Sequence, residues 1–161
     1  MKISTIIFLV FSIMFVFSCN SDDDAVAESD RSQALLGQWE YTAIMTDKAV
    51  DINGDGTVNI DLFNTQEIRQ CLKDNLTFFT EMGTVGSGAY SINENGLACD
   101  EQDPFSTIEE DRYELIDNTT IQFEIRNEMR IQELSKTKLV VETNDNLGNE
   151  DVIVTITFKK S

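Results

Sequence analysis

The chain has 161 residues, with 12 lysines and arginines against 29 aspartates and glutamates, and its formal net charge is −17. Such an acidic chain repels the phosphates of nucleic acids and of anionic lipid headgroups, which excludes nucleic-acid binding as a function. The length suits one domain with its own hydrophobic core. Because the sequence contains no histidine, catalytic Ser-His-Asp and Cys-His arrangements are excluded as well.

The first 18 residues have the composition of an export signal. Lys2 supplies a positive charge, and residues 6–17 are almost entirely apolar. About 12 residues of helix cover only ~18 Å, which is too short for the ~30 Å hydrocarbon core of a membrane. The ending Ser18-Cys19 resembles a lipobox, in which the cysteine is acylated before the signal is cut off. The sequence therefore predicts a signal peptide over residues 1–18 and a lipidated N-terminus at Cys19, with an ordinary secretory signal as the alternative.

Residues 19–34 are rich in Ser, Asp, Ala and Glu, a composition that predicts a flexible acidic tether. The acidic run at 20–24 resembles the export tag of Bacteroidota lipoproteins that reach the outer face of the outer membrane. A merely solvated linker is the alternative. Loss of the signal removes Lys2 and no acid, so 11 basic and 29 acidic residues leave a net charge of −18 on the mature chain. We expect a chain that is lipid-anchored in the cell outer membrane, with exposure at the cell surface as one option.

Residues 35–161 predict one mainly β domain. Eight short segments rich in β-branched and aromatic residues recur at about 8–12-residue spacing. They span residues 36–43, 76–81, 84–93, 107–117, 120–126, 128–135, 138–144 and 151–159. One helix is predicted over Asp61–Lys73, where apolar residues follow helical spacing. The pattern favours an antiparallel sandwich or a small up-and-down barrel.

The three cysteines predict one disulfide bond. Once Cys19 carries lipid, Cys71 and Cys99 remain as an even pair in an oxidising compartment outside the cytoplasm. Such a pair is expected to be bonded, and two free buried thiols are the alternative. A zinc site would need more soft ligands than this chain offers.

Several short motifs together resemble the lipocalin-like, or calycin-like, lipoproteins of Bacteroidota. They are Leu-Leu-Gly-Gln-Trp at 35–39, Asp-Ile-Asn-Gly-Asp-Gly at 51–56, Cys-Leu-Lys-Asp-Asn at 71–75, a second cysteine at Cys99 and a β-rich C-terminal part. The resemblance implies a mainly β fold, an antiparallel barrel of about eight strands with one short helix, and it implies that the two cysteines pair. It also implies that Trp39 plugs one end of the barrel; an ordinary large core residue is the alternative.

Residues 51–59 predict a calcium-binding loop, because oxygens on alternate residues of a tight loop converge and Ca²⁺ takes six to eight oxygens at ~2.3–2.6 Å. The segment resembles EF-hand and dockerin loops. The expected ligands are Asp51, Asn53, Asp55, the Thr57 carbonyl, Asn59 and, closing the site, Asp61 or Glu67. In an EF-hand loop the twelfth residue is an acid that closes the site. Here that residue is Leu62, so one of these last two acids has to close the site. A plain turn is the alternative, since Asn-Gly and Asp-Gly are common turn dipeptides.

Three functions fit these features. The first is a non-enzymatic binding module on the cell envelope that holds a small apolar ligand or docks an envelope protein. The second is an accessory or structural subunit, because eight-stranded barrels are either filled or hold one ligand. The third is a glycan-acting hydrolase with two catalytic carboxylates. A hollow interior favours the first, a packed interior the second, and a surface cleft with two close carboxylates the third.

Overall fold

Nine strands and three short helical segments make up the described part of the computed structural model, which covers residues 26–99 and 107–161. The strands are β1 (Gly37–Val50), β2 (Asn59–Asp61), β3 (Leu76–Glu81), β4 (Ser87–Asn93), β5 (Thr107–Ile116), β6 (Thr120–Phe123), β7 (Met129–Leu134), β8 (Lys138–Leu147) and β9 (Glu150–Lys160). The helical segments are a 3-10 turn (Glu28–Asp30), α1 (Arg31–Leu35) and α2 (Gln70–Lys73). None of the helices in this part of the chain has the length and apolar character needed to cross a membrane. The signal peptide and Cys19 lie outside the described residues.

Eight of these strands form a closed antiparallel barrel. Each strand from β3 to β9 pairs with its neighbour along the chain, and β1 pairs with both β3 and β9. The β1–β9 pairing runs from Trp39 opposite Lys160 to Thr46 opposite Val154. Short β2 pairs with the far part of β1. The expected mainly β fold, an antiparallel barrel of about eight strands, is confirmed.

The up-and-down connections define two ends of the barrel. One end carries the β3–β4, β5–β6 and β7–β8 turns, and we call it the closed end because α1 covers it. Arg31 donates a hydrogen bond to the carbonyl of Asn118, in the β5–β6 turn, at 2.9 Å. The opposite end, which we call the loop end, carries the long connection of residues 51–75 and the β6–β7 and β8–β9 connections.

Trp39 plugs the closed end, as the resemblance implied. Its side chain has no exposed surface, and its Nε1 donates to the carbonyl of Leu35 at 2.8 Å. The Nζ of Lys160 lies 5.0 Å from the Trp39 ring centroid and donates to the carbonyl of Ala34 at 2.7 Å. The indole thus ties α1 to the last strand of the barrel.

The folded part begins earlier than the composition suggests. Residues 26–34 were assigned to the tether, yet residues 28–35 are helical. The amide of Val26 donates to the carbonyl of Leu134 at 3.1 Å, and Leu35 is fully buried. The composition of this segment alone indicates a linker. Hydrogen bonds to the barrel and the packing of Ala34 and Leu35 against the core order it.

The helix predicted over residues 61–73 is wrong for residues 61–69, and only Gln70–Lys73 is helical. The Asp61 carboxylate accepts hydrogen bonds from the amides of Phe63 and Asn64 at 3.1 and 2.9 Å. A side chain that bonds the backbone two and three residues ahead stabilises a turn in competition with a helix. Helical spacing of apolar residues did not reveal this competition.

The core consists of two clusters. The larger one fills the closed end and the middle of the barrel around four aromatic rings, whose neighbouring centroids are 5.1 to 5.3 Å apart. The rings are Phe79, Tyr90, Tyr113 and Phe123. The smaller cluster lies at the loop end, where Leu62 of the long connection packs among Ile44, Val50, Val152 and Val154.

Gly88 allows β4 to pass close to β3, and its replacement tests this packing. A Cβ at Gly88 would lie 1.7 Å from the carbonyl oxygen of Thr80 and 2.8 Å from the ring of Tyr113. We expect Gly88→Ala to lower the free energy of unfolding by about 1–3 kcal/mol or more, because the backbone of β3 must move. Urea unfolding measures the loss. Gly96→Ala is the control, since its Cβ would meet its nearest atom at 3.6 Å; equal losses in the two variants would contradict this account.

Candidate functional site

The connection of residues 51–59 is a tight loop built on the side chain of Asp51. One carboxylate oxygen accepts a hydrogen bond from the amide of Gly54 at 2.7 Å, and the other accepts one from the amide of Gly56 at 2.8 Å. Both glycines have φ near +80°, at 78° and 86°, a conformation that costs glycine little. The Asn-Gly and Asp-Gly pairs therefore wrap the backbone around the first expected ligand.

Asn53 and Asp55 continue the same pattern. The Asn53 side-chain oxygen accepts from the amide of Asp55 at 2.9 Å, and the Asp55 carboxylate accepts from the amide of Thr57 at 2.7 Å. The bond from the Thr57 amide is the largest of the contacts that hold the pKa of Asp55 below its usual value. The loop thus carries two carboxylates and an amide oxygen on alternate residues.

Glu67 lies beneath this loop and is 5 % exposed. Its carboxylate accepts hydrogen bonds from the amides of Ile52 and Asn53 at 2.7 and 3.3 Å. The side-chain nitrogen of Asn59 donates to the other Glu67 oxygen at 2.7 Å. Of the two acids expected to close the site, Glu67 is therefore the one that the fold brings to the loop.

Asp61 is directed elsewhere. Besides the amides of the 61–64 turn, its carboxylate accepts the side-chain amide of Asn64 at 2.8 Å. The bond from the Asn64 amide is the largest of the contacts that lower the pKa of Asp61. Of the expected ligands, the structure brings together Asp51, Asn53, Asp55 and Glu67. It leaves Asp61 outside the group.

Metal binding at this loop would depend on amide and carbonyl oxygens as well as carboxylates. Within residues 26–99 and 107–161, no group of three or more acidic or cysteine side chains is arranged to hold a metal ion. Thr57 contacts Asp55 through its amide and not through the carbonyl expected as a ligand, and Asn59 turns its side-chain nitrogen toward Glu67. The donor set fits a hard oxygen-binding cation in type, and it is incomplete in number.

Two features attach the long connection to the loop end. A Cβ at Gly148, in the β8–β9 turn, would lie 2.7 Å from the carbonyl oxygen of Asp51, so the two loops touch. Cys71 and Cys99 form a disulfide bond with a Cα–Cα distance of 5.2 Å, which confirms the predicted pair. The bond joins residues 51–75 to the β4–β5 connection.

The barrel interior changes character toward the loop end. Tyr41 and Ile156 contact both core clusters. These two side chains and Ile92 face inward but are only half-buried, whereas Trp39 and Phe158 at the closed end are 0 % and 1 % exposed. Burial raises the pKa of the Tyr41 hydroxyl, so this end of the side chain is covered. The interior is therefore tightly packed at the closed end and less completely covered toward the loop end.

An arginine that sequence reasoning missed lies at this opening. The Arg126 guanidinium lies 4.6 Å from the Tyr90 ring centroid and 5.2 Å from that of Phe123, and it pairs with Glu109 at 3.1 Å. Its side chain is 24 % exposed. Residue 126 follows the end of β6, so strand alternation did not indicate that its side chain turns inward.

Asp111 holds Arg126 in place through its backbone. The carboxylate accepts hydrogen bonds from the amides of Ile125, Arg126 and Arg112 at 3.2, 3.1 and 2.7 Å. Burial by itself would raise the pKa of Asp111, but these backbone bonds together lower it. A low pKa is the opposite of what a general acid for glycoside hydrolysis requires.

Open depressions of about 630, 580 and 390 Å³ lie on the surface of the described chain. The second lies beside the β8–β9 turn and contains Asp47 and Asp151. Asp47 accepts the amide of Ile153 at 2.8 Å, and Asp151 accepts the side-chain amide of Asn146 at 2.8 Å. These acids stabilise the local backbone and turn, which does not favour a pair of catalytic carboxylates there.

No family model and no curated protein matches the chain. Solved structures with a similar course of the chain include the bovine lipocalin allergen Bos d 2, with 14% identity, a TM-score of 0.47 and coverage of 81% of this chain and 75% of that one. A deswapped triple mutant of bovine odorant-binding protein has 16% identity, a TM-score of 0.45 and coverage of 80% and 74%. Bovine odorant-binding protein in complex with its natural ligand has 16% identity and a TM-score of 0.45, with coverage of 80% of this chain and 72% of that one. These likenesses describe the fold alone.

Asp111→Asn is expected to flatten the acid side of the stability profile. A carboxyl group with a lowered folded pKa stabilises the protein above its unfolded pKa, about 3.9 for Asp, and this stabilisation is lost as the pH falls through the folded pKa. Wild type should therefore lose stability more steeply than Asp111→Asn below about pH 4. Urea unfolding at stepped pH measures the slopes. Glu114→Gln, an exposed position on the same strand, should keep the wild-type slope; equal slopes in wild type and Asp111→Asn would contradict the prediction.

Proposed function

We propose that this chain is an envelope-anchored lipoprotein whose barrel is a non-enzymatic module that binds a small, largely apolar molecule. The observation that carries the proposal is the half-buried, inward-facing set of Tyr41, Ile92 and Ile156 at the loop end. Apolar side chains that face a barrel interior and still reach solvent provide the lining of a ligand site. The packed closed end gives this site a floor.

The polar groups at the opening define the other end of the ligand. Arg126 is neutralised by Glu109, so this arginine gives the opening no net positive charge. The hydroxyl groups of Tyr41 and Tyr90 supply hydrogen-bonding groups in the same region. An uncharged molecule with an apolar body and one polar group toward the loop end suits this arrangement better than an anion.

Two alternative functions are supported by fewer observations. An accessory or structural subunit is supported by the closed end, where Trp39, Phe79 and Phe158 fill the interior. It predicts that no small molecule enters the barrel. A glycan-acting hydrolase has less support, since Asp111, Asp47 and Asp151 are engaged in backbone and turn hydrogen bonds.

Blocking the interior is expected to abolish binding of an uncharged fluorescent probe. Ile156→Trp should place an indole in the upper interior, the part of the barrel interior nearest the loop end. It should reduce the affinity for N-phenyl-1-naphthylamine by at least about tenfold, or ~1.4 kcal/mol. Ile153→Trp on the same strand is the control, because Ile153 is 41 % exposed. Titration of probe fluorescence, at equal concentrations of folded protein, measures the affinity of both variants. Wild-type affinity in Ile156→Trp, or no binding by wild type, would favour the filled barrel.

The anchor is proposed at Cys19, supported by the Ser18-Cys19 ending of the signal. Val26 bonds to Leu134 at the closed end of the barrel, so the tether leaves from that end. The seven residue-to-residue steps from Cys19 to Val26 span at most ~25 Å. In this proposal the membrane lies near the closed end and the loop end faces away from it, at the cell outer membrane and on its outer surface.

Cys19→Ala is expected to abolish lipidation. The variant should keep its signal or appear as a soluble form, because no thiol remains at the lipobox position. Metabolic labelling with a palmitate analogue, followed by membrane fractionation, measures both properties. Cys99→Ala is the control, since it also removes one cysteine and leaves the lipobox intact. A Cys19→Ala protein that is still labelled and retained in membranes would refute the anchor.

We also propose that the loop of residues 51–59 binds calcium. Support comes from the alternate oxygens of Asp51, Asn53 and Asp55 and from buried Glu67 beneath them. An ion there would lie among three carboxylates whose charges are now offset by backbone amides and by the side-chain amides of Asn53 and Asn59. Its role would be to stabilise the long connection that covers the loop end.

Calcium is expected to raise the melting temperature through this loop. At about 100-fold excess over Kd, binding to the folded state alone stabilises by ~2.7 kcal/mol, which for a domain of this size means several degrees. The part of the shift that belongs to this loop should disappear in Asp51→Ala and Asp55→Ala and persist in Asp61→Ala, whose carboxylate lies outside the group. Differential scanning calorimetry in chelator and in millimolar calcium measures the shifts. A shift equally large in Asp51→Ala and in wild type would assign the binding elsewhere.

A further inference from the structure

Four buried side-chain oxygens at the loop end of β3 and β4 have no hydrogen-bond partner among the described residues. They are Asp74 Oδ1, Asn75 Oδ1, Asn93 Oδ1 and Glu94 Oε2. Buried polar groups are nearly always paired, because an unpaired one has lost its hydration without a replacement. Four unpaired acceptors in two short neighbouring segments therefore call for a ligand.

Asn75 and Glu94 face each other across the two strands. Leu76 pairs with Asn93, and one further step of this antiparallel register places Asn75 opposite Glu94. Side chains at directly opposite positions have Cβ atoms about 4.5–5.5 Å apart. Asn75 is 2 % and Glu94 is 7 % exposed, so an unpaired amide oxygen and an unpaired carboxylate oxygen belong to opposing side chains in the interior.

Asp74 flanks this pair at an irregular point of the backbone. It is the C-cap of α2, with φ −90° and ψ 0°, so it lies outside the strand and need not follow strand alternation. Its buried oxygen can therefore turn toward Asn75 and Glu94. Asn93 pairs with Leu76 in the regular part of the β3–β4 ladder, so strand alternation places its side chain on the other face of the sheet.

The two carboxylates are held in the same way. Asp74 Oδ2 accepts the amide of Leu97 at 2.7 Å, and Glu94 Oε1 accepts the amide of Cys99 at 2.9 Å. Each carboxylate thus has one oxygen fixed by the segment after β4 and a second oxygen left without a partner. The Cys71–Cys99 disulfide holds this segment against α2.

No positive side chain offsets these two carboxylates. Lys73 is the neighbour in sequence, but its Nζ donates to the carbonyl of Thr65 at 2.5 Å and lies 6.0 Å from the Phe63 ring centroid. The five ion pairs within the described residues involve neither Asp74 nor Glu94. A water molecule would supply two hydrogens to the three acceptors of Asp74, Asn75 and Glu94, whereas a cation can contact all three.

We propose that Asp74, Asn75 and Glu94 form a site for a hard divalent cation, with calcium as the best match. The donors are two carboxylates and one amide oxygen, which is the oxygen-only chemistry that Ca²⁺ selects, and water can fill the remaining positions. The site is separate from the loop of residues 51–59 and does not depend on the proposed small-molecule binding. A bound ion would join the start of β3 to the end of β4 beneath the disulfide.

Calcium binding in a variant that lacks the first loop tests this site. In Asp51→Asn/Asp55→Asn, isothermal titration calorimetry should still show one Ca²⁺ per chain, with a Kd at or below about 10⁻³ M, the upper limit for extracellular modules. Addition of Glu94→Gln should weaken this binding at least tenfold. Glu109→Gln is the control: it removes the same charge from the neighbouring strand, where Glu109 pairs with Arg126, and it should keep the affinity within about twofold.

A second variant remains informative if Glu94→Gln fails to fold. Asn75→Asp adds a charge opposite Glu94, so in chelator it should lower the melting temperature by like-charge repulsion. In calcium the same variant should show a larger upward shift than its parent, because a charged ligand replaces a neutral one. Absence of calcium binding by Asp51→Asn/Asp55→Asn, or unchanged affinity in its Glu94→Gln form, would overturn the proposal. So would an Asn75→Asp variant that calcium stabilises no more than its parent.

Discussion

Closure of the barrel by β1 is the constraint on which the rest of the structure depends. β1 is 14 residues long, and it bonds β3 through residues 37–40, β9 through residues 39–46 and β2 through its far part. A shift in the register between Tyr41 and Ala43 bends the strand at its middle. One strand that is shared by three partners removes the open edges of the sheet and brings both chain ends of the barrel to the closed end.

Different interactions stabilise the closed end and the loop end. At the closed end, Trp39 is covered by α1 and by the stem of Lys160, and apolar packing dominates. At the loop end, carboxylates organise the backbone: Asp51, Glu67 and Asp111 each accept two or more amide hydrogens. Hydrogen bonds from amides to ionised carboxylates are stronger than neutral ones. Part of the large negative charge of this chain is therefore structural and does not require a positive partner.

The same contrast explains where a ligand or an ion can be accommodated. A packed closed end contributes stability and leaves no room, whereas the upper interior combines half-buried apolar side chains with Arg126 and Glu109. Next to it, the disulfide holds two connections together over the ends of β3 and β4. Apolar and oxygen-rich regions thus lie side by side at one end of the barrel, opposite the end where Val26 bonds to Leu134.

Local residue chemistry was enough to determine several features from the sequence by itself. Strand alternation located all eight barrel strands, the even cysteine count indicated the Cys71–Cys99 bond, and the Asn-Gly and Asp-Gly pairs located the 51–59 loop. Only the tertiary structure decided which distant groups meet. It brought Glu67 and not Asp61 to the loop, ordered residues 28–35 against the barrel, and turned Arg126 inward after β6. Sequence patterns report the conformation of neighbouring residues, whereas these contacts arise when a closed sheet brings remote segments to the same end.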